Sequence, residues 1–331
     1  MFAASLVQVY NLLKSITLSS TLSDNDSYAQ LIVALLDREY RQESGDFSPT
    51  ALPLLTCKAA GGTIDDAVPA AAAWRALYIA AKLLDDVEDG TPIEVDGRRI
   101  THPEAANIAT GFITLSNLAL LERKGKTSYF NDKVKDLVVE FNRAVLHMAS
   151  GQHRDISPDE DLDLESYREV MSAKSGSFFQ LAAWAGARCA TDDVGTLSLF
   201  EALGYNLGMM LQLNDDLKDF RESSPGNDLV EGHRTFPVFY ALSVASPFER
   251  ERLQKWLAEA RENQQAEENA RNLIKVLGGE VYVLAEIMRY RRRTTKVLEQ
   301  MNLQDETHGE IEKWLIRLSL LPKKSNNQIH D

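Results

Sequence analysis

The chain has 331 residues, 44% of them hydrophobic and 26% charged, with a formal net charge of −13. That composition suits a large buried core, and the acidity excludes nucleic acid as a partner unless metal ions or a local basic pocket intervene. The two cysteines, Cys57 and Cys189, stand far apart and read as buried free thiols of a reducing cytoplasm.

The first residues lack the basic start and small-residue cleavage site of a secretory leader, and no apolar run is long enough to span a bilayer. A cytoplasmic protein without a transmembrane segment is therefore expected. Helical spacing dominates from there on. It predicts helices over Ser27–Arg41, Leu52–Ala60, Val68–Asp89, His102–Glu122 and Lys133–Gly151, with Gly61–Gly62 as a break. Further helices are predicted over Leu164–Arg188, Val194–Phe220, Pro237–Leu242, Pro247–Ala260, Gln265–Met301 and Thr307–Leu321. The expected assembly is one all-α domain over 1–331, with 1–26 and 322–331 peripheral or frayed. Three polar breaks stand out: Gly90–Thr101, Asp155–Asp163 and Arg221–Arg234. The first and third directly follow an aspartate-rich helix end, where loops commonly close over a site.

Those helix ends carry the chemistry. In Leu83-Leu84-Asp85-Asp86-Val87-Glu88-Asp89, the aspartates at 85 and 89 are one helical turn apart and share a face, while Asp86 points about 100° away. Asp215, Asp216 and Asp219 repeat the pattern. Helix C-termini carry partial negative charge, so carboxylates stacked there cost energy unless a cation compensates. One such cluster reads equally well as a wet helix terminus; two of the same design on apolar helices do not. All six aspartates are thus candidate metal ligands. Oxygen donors without His or Cys select a hard cation, Mg²⁺ first, shared with a phosphate. Two facing clusters can hold three Mg²⁺ against a diphosphate, with the apolar helix faces lining a pocket for a hydrocarbon tail.

At this point the sequence resembles the trans-isoprenyl diphosphate synthase, or polyprenyl synthetase, family. Gly151–Ile156 (GQHRDI) is similar to the family's GQxxDl segment, and Tyr167–Phe179 resembles its Y…KTGxLF helix, with Lys174 in the lysine position. Gly208–Phe220 resembles GxxFQxxDDxxD with Gln212 in place, and Gly226–Pro237 resembles GxDLxxGKxTLP. The resemblance implies an isoprenoid-synthase-type bundle with a central cavity, usually a homodimer. It implies that Asp85 and Asp89 bridge two Mg²⁺, that Asp215 holds the third, that Lys174 contacts the allylic diphosphate, and that Gln212 and Asp219 support the site. Ala80 and Ala81, just before the first cluster, imply an open cavity for a fifteen- or twenty-carbon chain. Met209, Met210 and Leu211 are expected in the opposite wall, and Tyr78, Phe178, Phe179 and Tyr205 as ring faces toward a cation.

The departures concern the co-substrate. The family's GGKRLRP motif, which grips isopentenyl diphosphate, aligns with Phe47–Pro53, so Pro49, Thr50 and Leu52 fall on its basic positions. The family histidine before the first cluster aligns with Tyr78, the GK lysine with His233 followed by Arg234, and the arginine pair lies four residues late, at Arg98 and Arg99. Losing charge-assisted hydrogen bonds to a polyanion is costly. The leading expectation is therefore an enzyme that ionises an allylic prenyl diphosphate and has the cation cyclised, deprotonated or captured by another nucleophile. The alternative is a chain-elongating synthase whose co-substrate charge comes from Arg98, Arg99, Arg75 or Lys58. A non-catalytic partner subunit is the third reading. The basic run Arg289–Arg293 reads as a solvated helix face.

Overall fold

The computed structural model describes residues 2–21, 26–43, 48–122, 128–157, 163–222, 228–231, 234–301 and 303–318. They form an all-α bundle: α1 (Ala3–Ser20), α2 (Ser27–Gln42), α3 (Ala51–Ala59), α4 (Ile64–Glu88), α5 (His102–Leu121) and α6 (Ser128–Ile156) come first. After α7 (Leu164–Met171) a π-helical turn (Ser172–Gly176) leads into α8 (Ser177–Ala190) and α9 (Val194–Arg221). The C-terminal part comprises α10 (Asp228–Glu231), α11 (Phe236–Val244), α12 (Pro247–Glu259), α13 (Gln264–Val276), α14 (Gly279–Gln300) and α15 (Asp305–Leu318).

Helix α4 is buried nearly all round, with Ala70–Ala73, Trp74, Ala76, Leu77, Ile79, Ala80 and Leu83 shielded from solvent, so it forms the centre of the bundle. It is also the one described helix long and apolar enough to cross a membrane, and 67% of that apolar window is buried within the protein, as a core helix requires. The second central helix is α9. It approaches α8 and the π turn closely because Gly204 and Gly208 face them: an added Cβ would lie 2.3 Å from the Phe179 and Ser175 carbonyl oxygens, respectively. A smaller apolar cluster of Phe220, Val238, Ala241, Leu253, Ala270 and Ile274 holds α11–α13 together beside the end of α9. Cys57 and Cys189 are both buried.

Four departures from the sequence reading have local causes. The N-terminal segment is not peripheral: Val9 and Leu13 of α1 are fully buried, and α1 packs on α4. The break after α4 contains a small antiparallel hairpin, β1 (Ile93–Val95) with β2 (Arg98–Ile100). Its turn residues Asp96 and Gly97 both have positive φ, 48° and 79°, the conformation an Asp-Gly pair favours. The single helix expected over Leu164–Arg188 is interrupted by the π turn, and that over Gln265–Met301 breaks at Gly278, whose φ is +88°. Helix α5, which follows the hairpin, starts on a reciprocal cap: the Thr101 N–H donates to Glu104 Oε2 at 2.9 Å and the Glu104 N–H to Thr101 Oγ1 at 3.4 Å. The run at 289–293 straddles α14, with Tyr290 buried and Arg289, Arg292 and Arg293 exposed. The segment 322–331 lies outside the described residues.

Candidate active site

The helices enclose a cavity of about 590 Å³. One wall is α4, which turns Leu77, Tyr78, Ala80, Ala81, Leu84 and Asp85 toward it at helical spacing. Facing walls come from α6 (Val145, Met148, Gln152), from the π turn and α8 (Lys174, Ser175, Phe178), and from α9 (Leu211, Gln212, Asp215). The first aspartates of the two clusters, Asp85 and Asp215, thus border a single space. Aromatic rings back it: Trp74 stacks on Phe178 at 4.7 Å between centroids, and Phe178 on Tyr78 at 6.2 Å.

Charge is concentrated at one side. Lys174 Nζ lies 2.7 Å from Asp155 Oδ2 and 3.6 Å from Asp85 Oδ1. Burial pulls its ammonium pKa down, but Asp155, Asp85 and Asp89 outweigh this and hold it above the ordinary lysine value. The Gln152 amide donates to Asp85 Oδ1 at 3.3 Å and to Glu88 Oε2 at 2.5 Å. Asp215 is exposed to solvent where it opens onto the cavity, with protein around the rest of its carboxyl. Burial first, and the Asp219 charge second, push its pKa up to about 6. Burial also raises Asp219 and Asp86. Among the described residues no three acidic, His or Cys side chains converge closely enough to hold a metal ion by themselves. The donor set is oxygen only, and carboxylates strained in this way are relieved by a divalent cation. Mg²⁺ completing its shell with substrate oxygens and water therefore fits these residues.

The raised carboxyls carry a sign. Below the unfolded aspartate value near 3.8 they cost nothing; the cost grows as the unfolded chain ionises, and is full above about 6. Metal-free protein is therefore expected to unfold at a higher temperature at pH 5 than at pH 7.5, and Mg²⁺ with diphosphate to restore the difference at pH 7.5. Thermal scans of the apoprotein and of Asp215→Asn, in which the pH effect shrinks, check this; a flat profile in both would refute it.

The structure brings Asp85, Lys174, Gln212, Asp215, Tyr78, Ala80, Ala81 and Phe178 to one cavity. Asp89 is the C-terminal cap residue of α4, and Asp219 lies one turn beyond Asp215 on α9. Other expectations are corrected. Asp216 points inward, 2% exposed, with both oxygens engaged by protein donors, so it faces the core rather than the metal region. Of the three expected wall residues, Met209 (packed against Gly176) and Met210 are fully buried core, and Leu211 lines the cavity. Tyr205 faces Ser172 at 3.0 Å in a separate polar recess, so its ring does not border this cavity. Asp86 is not among the residues that line the cavity, and the charges of Lys82, Asp85, Arg38 and Asp89 all act on its carboxyl. Arg98 and Arg99 are exposed on β2, Arg98 paired with Glu104 at 2.7 Å, and Arg234 is exposed before α11. His233 lies outside the described residues.

The co-substrate corner is where sequence reasoning saw least. Pro49 borders the cavity, but Leu52 and Thr50 are fully buried. Thr50 Oγ1 donates to Glu43 Oε1 at 2.6 Å, and Tyr10 of α1 donates to Glu43 Oε2 at 2.9 Å. Arg75, 2% exposed, is held by Glu39 at 2.6 Å and Glu43 at 3.1 Å, with its guanidinium 4.9 Å from the Tyr78 ring centroid. Lys58 pairs with Glu306 at 2.8 Å. Of the nearby cations, Lys82 is the one that lines the cavity rim, 3.6 Å from Glu39. Asp155 and Gln152 were legible as part of the Gly151–Ile156 segment; Glu39, Glu43 and Tyr10 left no signal in the chain because their partners are distant in sequence.

The chain is similar to known proteins over most of its length. The polyprenyl synthetase family profile matches residues 49–275. The short chain isoprenyl diphosphate synthase of Methanothermobacter thermautotrophicus is 27% identical over 267 residues, covering 77% of this chain and 80% of that protein. The variediene synthase of Aspergillus brasiliensis is 30% identical over 176 residues, covering 50% of this chain and 24% of that protein. Among solved structures, the geranylgeranyl pyrophosphate synthetase of Geoglobus acetivorans superposes with a TM-score of 0.79 at 18% identity, covering 96% of this chain and 99% of that one.

Proposed function

The chain belongs to the polyprenyl synthetase family, and from that premise we propose that it ionises an allylic prenyl diphosphate of fifteen or twenty carbons and adds the allyl group to isopentenyl diphosphate. The observation that carries the ionisation step is the meeting of Asp85, Asp215 and Lys174 at one side of a mostly apolar cavity. Asp85, Asp89, Asp215 and Asp219 would hold Mg²⁺, with three ions implied by the resemblance. When bound, Mg²⁺ neutralises the leaving diphosphate as its C–O bond breaks. Lys174 adds a fixed positive charge on the diphosphate side, and Gln212 a polar group beside it. The alkyl tail lies along α4, where Ala80 and Ala81 leave depth. Tyr78 and Phe178 present ring faces that shield the cation and exclude water. A homodimer in the cytoplasm is part of the same reading.

Chain elongation was the alternative of the sequence reading, and the names of the relatives support it over the leading one. The non-elongating reading stays second on one specific observation: Arg75, the buried cation nearest the expected co-substrate corner, is neutralised by Glu39 and Glu43. Purified protein with Mg²⁺ and geranyl, farnesyl or geranylgeranyl diphosphate, with and without isopentenyl diphosphate, separates the two. Longer diphosphates formed only with the co-substrate are the expected result. Hydrocarbons or alcohols formed equally without it would establish the second reading, and no diphosphate release in any mixture would defeat both.

A further inference from the structure

We infer that Asp216 is a positioning residue, a buried strut that ties the cavity wall to the start of α11, and not a ligand of the metal. Its Oδ1 accepts from Gln212 Nε2 at 2.9 Å. Its Oδ2 accepts from the Tyr167 hydroxyl at 3.1 Å and from the backbone N–H of Phe236 at 2.9 Å. The relay continues outward, since Ser175 Oγ donates to Gln212 Oε1 at 2.6 Å. Three segments (α7, α9 and the beginning of α11) therefore meet at one carboxylate that is 2% exposed, and the π turn joins them through Gln212. Ser175 and Gln212 line the cavity, and Ser175 directly follows Lys174. The strut thus sets where the Gln212 amide stands, and with it the seat of the π turn that presents the lysine. It also anchors the chain where it re-enters the bundle after the second acidic cluster.

The hydrogen-bond inventory distinguishes this role from metal binding. Asp216→Ala strands three donors, two of them, the Tyr167 hydroxyl and the Phe236 N–H, in the core. Asp216→Asn does not. The asparagine oxygen still accepts from Tyr167 and Phe236, and its amide group is met by Gln212 once that side chain turns its oxygen inward. The Gln212 amide then donates to the Ser175 hydroxyl, which accepts as readily as it donates. A metal ligand behaves otherwise, because asparagine lacks the charge and is nearly as poor as alanine.

The experiment uses full-length protein and two readouts, the thermal midpoint and the Mg²⁺ concentration giving half-maximal diphosphate release. The inference rests on the proposed prenyl diphosphate chemistry only for the second. Asp216→Ala is expected to lower the midpoint by more than about 5 °C and turnover by more than about a hundredfold. Asp216→Asn is expected to keep or exceed the wild-type midpoint, with turnover within about fivefold and an unshifted Mg²⁺ requirement. An Asn variant as inactive as the Ala variant, or one needing more than about tenfold more Mg²⁺, would overturn the inference. If the Ala variant does not fold, Tyr167→Phe replaces it, with a lowered midpoint and an unshifted Mg²⁺ requirement expected. If no prenyl diphosphate is turned over, the midpoints decide alone: a drop for Ala without one for Asn supports the strut, and equal midpoints refute it.

Discussion

Asp215→Asn is expected to lower diphosphate release from an allylic substrate by about a thousandfold or more, an effect of about 4 kcal/mol on the barrier. The same protein should be no less stable than wild type. The reasoning joins two observations. Asp215 borders the cavity opposite Asp85, so its carboxylate is placed to hold a cation against the leaving group. It also stands in protein surroundings beside Asp219, which push its pKa up to about 6. In the metal-free state at pH 7.5 that charge is a burden on the fold, and a neutral amide of the same shape removes it. Asp85→Asn should lose turnover similarly; its carboxylate also accepts from Gln152 and faces Lys174, so it does not share the gain in stability. The measurement is steady-state release of diphosphate alongside thermal unfolding. Turnover within tenfold of wild type in a folded Asp215→Asn protein, or turnover unaffected by a chelator, would remove the basis of the proposed function.

Arg75→Met is the change with the largest expected cost to stability, about 3–5 kcal/mol. Arg75 is the shared cation of a buried cluster in which Glu39 and Glu43, 2% and 8% exposed, both contact its guanidinium. Removing it leaves two buried carboxylates facing each other, with Arg38 and Lys82 reaching Glu39 alone. The thermal midpoint should fall by roughly 5–15 °C. Combining the change with Glu39→Gln and Glu43→Gln should recover much of the loss, because the penalty belongs to uncompensated charge and the three substitutions are coupled. Below its unfolding range, Arg75→Met should release diphosphate from the allylic substrate within about fivefold of wild type, since the guanidinium points into the cluster. A variant that stayed as stable as wild type and lost only its use of isopentenyl diphosphate would instead make Arg75 a contact for the co-substrate. That outcome would rescue elongation from its main structural difficulty.

The two readings of the cation's fate therefore turn on one corner. Spacing along the chain shows the absence of basic residues at Pro49, Thr50 and Leu52, yet not what fills their place. Thr50 is drawn into the core by Glu43, and Tyr10 arrives from α1, a helix that sequence periodicity left out. The same limit applies to the second cluster. The helical period already sets Asp216 off the face that Asp215 and Asp219 share, but not what each face meets: one side of α9 meets the cavity and the other meets Tyr167 and the start of α11.

What the chain determined by itself is whatever depends on near neighbours: the helical segments with their breaks, and the paired acidic clusters one turn apart at helix ends. Those follow from a 3.6-residue period and from local hydrogen bonds, and they were enough to reach the family. The packed structure alone decided which acid opens onto the cavity, where the π turn sets Lys174, and that Arg75 is bound by Glu39 and Glu43. A helical period states which residues share a face. It is silent on what that face will meet, because burial and charge partners are chosen by segments far apart along the chain.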